Sequence, residues 1–122
     1  RDNMLTSLSG VSSLRHLQSL NACNNSITSI DDTWDLPGAS DSSSLTCLDL
    51  SENNLQTLDG LCSPALARLR CLSVRHNELC TLPPTFGDLD VLEELDVSEN
   101  AITSVAATYK MQHLRVLNCE HN

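Results

Sequence analysis

Asparagine returns in this chain at a spacing that neither a helix nor a single strand explains. It stands at positions 3, 25, 53, 77, 100 and 122, at intervals of 22, 28, 24, 23 and 22 residues. The same apolar skeleton precedes it each time. Leu92, Leu95 and Val97 lead to Asn100; Leu45, Leu48 and Leu50 to Asn53; Leu69, Leu72 and Val74 to Asn77. Leu17, Leu20 and Ala22 before Asn25, and Leu114, Leu117 and Cys119 before Asn122, are looser copies, and Asn3 to Leu8 reads as the tail of a further one. A period of about 20–29 residues describes units too small to bury an apolar face alone, so each must stack on the next.

The residue types within one unit follow from that stacking. Leu95 and Val97 alternate with Glu94 and Asp96, the period of a short strand with one buried face. Equivalent strands are expected near 20–22, 48–50, 72–74, 95–97 and 117–119, paired side by side as a parallel sheet. After each strand the chain turns and its amides lose ladder partners. A buried carboxamide supplies two donors and an acceptor for those groups. Asn25, Asn53, Asn77, Asn100 and Asn122 are therefore expected to form a structural ladder. On the opposite side, Trp34, Cys62, Phe86 and Tyr109 each fall four residues after Ile30, Leu58, Leu82 and Val105. All the aromatic residues, Trp34, Phe86 and Tyr109, thus share one column, expected to stack as a spine.

These motifs resemble the leucine-rich-repeat superfamily over essentially the whole chain. The short period and the segment Leu82-Pro-Pro-Thr-Phe-Gly-Asp-Leu89 are similar to its intracellular types, those related to phosphatase-regulator and Ras-scaffold repeats. The resemblance implies an α/β solenoid: a right-handed horseshoe with a parallel concave sheet and an irregular or short-helical convex side. Residues 1–122 then form one segment of about five repeats, part of a longer chain, with flanking repeats or a neighbouring chain capping its ends. The longest interval contains a stretch at 35–44 with Pro37, Gly38 and four serines, which reads as a polar surface insertion. It is either a solvated loop or a lateral contact or phosphorylation site.

Composition narrows the partners. Sixteen acids against seven bases give a net charge of −9, which argues against nucleic acid or an anionic membrane as the main partner. No apolar run is long enough to span a bilayer. The six cysteines show no metal-ligand spacing, so free thiols in a reducing compartment are expected, with the cytoplasm first and nucleus or cilium as alternatives. Aligning the strands places Arg70, Glu93 and Arg115 in one outward row and Glu52, His76, Glu99 and His121 in another. Asn21, Asp49, Ser73, Asp96 and Asn118 form the central row, and Arg75 and Glu120 share a fourth. Neighbouring charges in these rows either offset one another or, through Asp49, Glu52, Glu93, Glu94, Asp96 and Glu99, present an acidic patch to a basic segment; with Arg70, Arg75, His76, Arg115 and Glu120 these are the candidate partner-binding residues of the concave face.

Catalysis finds no support in the sequence. Cys71 and His76 occupy different rows and no third group orients them, and no metal or cofactor is implied. The reading is a non-catalytic module binding a protein on its concave, partly acidic sheet. The alternatives are a structural subunit of a ciliary, cytoskeletal or ribonucleoprotein assembly, and an accessory domain of an enzyme.

Overall fold

The computed structural model describes residues 3–30, 34 and 44–122, so all of the expected insertion except Ser44 lies outside the described residues. Five three-residue strands run parallel in chain order in one open sheet: β1 Ser19–Asn21, β2 Cys47–Asp49, β3 Cys71–Ser73, β4 Glu94–Asp96 and β5 Val116–Asn118. The middle residues Leu20, Leu48, Leu72, Leu95 and Leu117 pair in register across all five. Each strand begins one residue earlier than the apolar alternation suggests. The ladder still runs through the expected positions, because the amides of Ala22, Leu50, Val74 and Val97 donate to Asp49, Ser73, Asp96 and Asn118 at 2.8–2.9 Å.

The core lies behind the sheet and is built mainly of leucine. Leu48, Leu72 and Leu95 point inward from the strands, and Leu55, Leu58, Leu79 and Leu82 close the coil behind them. Burial of such a side chain is worth about 1.5–3 kcal/mol, so stacked copies supply the stability that no single coil has.

The asparagines hold the coils together. The Asn53 amide donates to the carbonyls of Leu50 and Ser51 in its own coil and of Ala22 in the preceding one, at 3.0–3.1 Å. Its Oδ1 accepts the Ile27 N–H at 3.0 Å. Asn77, Asn100 and Asn122 repeat the pattern, taking the N–H groups of Leu55, Leu79 and Ile102 and donating back to Leu50, Val74 and Val97. Asn25 takes the Leu5 N–H at 3.1 Å, which docks the front segment onto the first full coil. A buried backbone group left unpaired costs about 1–3 kcal/mol, so one amide per turn prevents several such penalties.

The convex side is made of short 3₁₀ turns at Val11–Ser13, Asp59–Cys62, Pro64–Leu66, Pro84–Asp88 and Ala106–Lys110. Trp34 and Phe86 are buried there, but Tyr109 is 83% exposed and does not join an aromatic spine. The reason is one missing residue. The interval closing at Asn100 has 23 residues and the next has 22, and the shorter unit enters its turn one residue sooner after its fourth apolar position. Thr108, not Tyr109, therefore takes the third place of the turn, as Phe86 does in Pro84–Asp88, and Thr108 is buried. Tyr109 falls where the neighbouring coil carries Gly87. Among the described residues, no helix is long and apolar enough to cross a membrane.

Candidate functional site

The strands set the concave surface by alternation: the middle leucine turns to the core, buried in β2, β3 and β4, and the two outer residues of each strand turn to the open face. The central row, Asn21–Asp49–Ser73–Asp96–Asn118, is in register across the sheet. Its acids are largely committed to local structure. Asp49 Oδ1 accepts from the Ser51 N–H at 3.0 Å and the Ser51 hydroxyl at 2.6 Å, while Oδ2 accepts from Asn21 at 3.0 Å. Asp96 does the same with Ser98, at 2.9 and 2.6 Å, and with Asn118 at 3.3 Å. Asn21 and Asn118 use their own Oδ1 to accept the amide two residues on. At the middle strand Ser73 has no carboxylate and instead meets the Ser51 hydroxyl at 2.7 Å. The row thus works first as a series of strand-exit turns, and the partner serines Ser51 and Ser98 were not legible as part of it.

Charge pairing gathers on the C-terminal half. Arg75 donates to Glu99 Oε1 through Nη2 at 2.6 Å and Nε at 3.1 Å, and His76 Nδ1 lies 3.0 Å from Oε2. The hydrogen bond from His76, then that from Arg75, holds the Glu99 carboxyl below the usual carboxylate range. Arg70 meets Glu93 at 3.5 Å. The expected alternation is therefore only partly realised. Arg115 touches Glu93 through its backbone amide and makes no ion pair among the described residues, and neither Glu52 nor His121 joins the His76–Glu99 pair. Arg75 reaches Glu99 diagonally between rows, which row-by-row reading could not anticipate. Glu52, Glu94 and Glu120 are exposed, and among the described residues no ion pair engages them.

A column of unusual backbone lines the lower edge of this face. Asn24, Glu52, His76, Glu99 and His121 all sit at φ 52–54°, in the left-handed region. Non-glycine residues pay on the order of 1–2 kcal/mol there, and the fold accepts that cost once per coil to turn the chain off the strand.

No constellation for chemistry on a bound substrate forms at the expected positions. His76 is engaged by Glu99, while the Cys71 thiol is hydrogen-bonded with Cys47. Among the described residues, no three His, Cys, Asp or Glu side chains gather closely enough to hold a metal ion. Cys23, Cys47, Cys71, Cys80 and Cys119 carry free thiols.

Comparison with known proteins agrees with this architecture. The sequence signature described as leucine rich repeat matches residues 15–79. The volume-regulated anion channel subunit LRRC8D of Rattus norvegicus is 35% identical over 72 residues, which is 57% of this chain and only 8% of that protein. A solved leucine-rich-repeat protein of Leptospira interrogans superposes with a TM-score of 0.70 at 24% identity, over 95% of this chain and 29% of its own. An internalin (inlF) of Listeria monocytogenes superposes at 0.69 with 19% identity, over 94% and 38%. At that identity the two structures speak for the fold alone. The chain thus spans well under half the length of the channel subunit and of these two solved proteins.

Proposed function

This chain belongs to the leucine-rich-repeat family, and from that premise we propose that it is a non-catalytic interaction module taking a basic protein segment on its concave sheet. The carrying observation is the set of exposed carboxylates Glu52, Glu94 and Glu120, which the basic residues of the face leave unpaired among the described residues. Arg70 and Arg75 are each already held by an acid, so the surplus charge faces outward. Few aromatic anchors lie on this surface, so affinity leans on charge, and salt weakens it. A reducing compartment such as the cytoplasm suits the reading, given the free thiols.

The test is selection of random peptides on the purified chain and on an E52K/E94K/E120K variant, with Asp88→Lys on the convex side as control. Enrichment of Arg- and Lys-rich peptides by the wild type and the control, lost in the triple variant, is the expected result. Equal enrichment by all three sinks the proposal.

A further inference from the structure

We propose that Cys47 and Cys71 form a two-thiolate site for a soft monovalent d10 ion of the copper(I) class on the floor of the concave sheet. The two residues are direct partners on β2 and β3, a pair of strands with a neighbour on each outer side. Both belong to the row Ser19–Cys47–Cys71–Glu94–Val116, which faces the open groove. Both are half-buried, open to a small ion but shielded from bulk. The Cys47 side chain is close enough to act on the Cys71 thiol.

Spacing selects the ligand. Adjacent strands lie about 4.8 Å apart, and side chains in direct register start from about that separation. A disulfide wants its Cβ atoms about 3.8 Å apart, closer than parallel partners in a fixed ladder sit. A bond from thiolate to a d10 metal is about 2.3 Å, the zinc value, so two in line span about 4.6 Å, the distance the sheet already sets. Zinc itself wants four ligands, and the described residues gather no third to the pair. Thiolates favour copper(I) among the soft ions, and two of them in line complete its coordination.

Binding breaks two S–H bonds, forms two metal–sulfur bonds and releases two protons, with no change of oxidation state. Burial, the Cys47 hydrogen bond and the nearby charges of Cys47, Glu94 and Glu93 push the Cys71 thiol up to about 11. The free Cys71 thiol therefore stays protonated and slow toward oxidants, and affinity for the ion climbs with pH.

The measurement is anaerobic competition for copper(I) between the reduced full chain and a chromogenic copper(I) chelator. Expected is withdrawal of one equivalent by the wild type, with X-ray absorption reporting two sulfur ligands. Cys47→Ser and Cys71→Ser each abolish withdrawal, Cys80→Ser and Cys119→Ser retain it, and all four keep the wild-type circular dichroism. Raising the pH by one unit strengthens wild-type binding by about tenfold or more, since the Cys71 proton is released on binding. No withdrawal by the wild type, persistence in Cys71→Ser, or equal loss in Cys80→Ser overturns the site. Should either serine variant fail to fold, Cys47→Ala and Cys71→Ala take the same test. Ready formation of a Cys47–Cys71 disulfide under mild peroxide, read by peptide mass mapping, overturns the spacing on which the site rests.

Discussion

The 3₁₀ turns Pro84–Asp88 and Ala106–Lys110 lie side by side on the convex face and follow the same course, yet they close their coils differently. In the first, Phe86 is driven fully into the core and Gly87 leaves no side chain outside. In the second, a threonine takes the buried place and a tyrosine stands in solvent at the glycine's position. Thr108 is a smaller plug, and it satisfies its hydroxyl by donating to the Val105 carbonyl at 2.7 Å. Two neighbouring units can thus share a backbone path while one is filled by a large apolar side chain and the other by a small one whose hydroxyl is satisfied locally. What decides between them is chain length: the tyrosine is in the counted column but one residue late.

The comparison breaks most visibly at Phe86. Phe86→Ala should cost about 3–5 kcal/mol, read as a lowered urea midpoint, and a loss under about 1.5 would mean the neighbouring leucines collapse into the space. A smaller effect is expected at Gly87. A Cβ there would sit 3.1 Å from the Ala107 carbonyl oxygen and 3.2 Å from Lys110 Cβ, so Gly87→Ala should destabilise by about 1 kcal/mol through overpacking. Unchanged thermal melting would show that the two turns are looser against each other than the distances say. Thr108→Val keeps the shape and removes the hydroxyl, while the Thr108 amide still satisfies the Val105 carbonyl at 2.9 Å. The cost should therefore stay below about 1 kcal/mol; a larger loss would give the hydroxyl a part in the seal that bulk plays at Phe86. Tyr109→Ala is expected to change stability by no more than about 0.5 kcal/mol, and chemical denaturation separates it cleanly from Phe86→Ala.

Much of this molecule is legible before any coordinates. The leucines and asparagines specify strand order, register and core, because each has a physical task that few other side chains perform. Tyr109 was misplaced because counting forward from Val105 assumes units of equal length. Counting back from Met111, the counterpart of Leu89, lands on Thr108. The concave face was less readable. Its rows follow from register, but Arg75 is long enough to leave its row for Glu99, and Asp49 and Asp96 spend their acceptors on backbone turns that a row of letters does not display. The left-handed column escaped notice for a simpler reason: its five residues share no side-chain type, and none is glycine.

The side-chain amide ladder has a consequence for how such a chain can change. Intervals of 28, 24, 23 and 22 residues all close on asparagines of this one series, and each of these amides accepts an N–H from the coil before it. The clasp fastens every turn at one point just past the strand and leaves the path behind it unspecified. Doubling a flexible connection costs only about 0.6 kcal/mol, so slack accumulates on the convex side at little expense. A residue gained or lost there moves a tyrosine in or out of the core and leaves the concave rows aligned. A residue gained between strand and asparagine would unfasten the clasp itself. Length is therefore free to drift on one side of the molecule and pinned on the other.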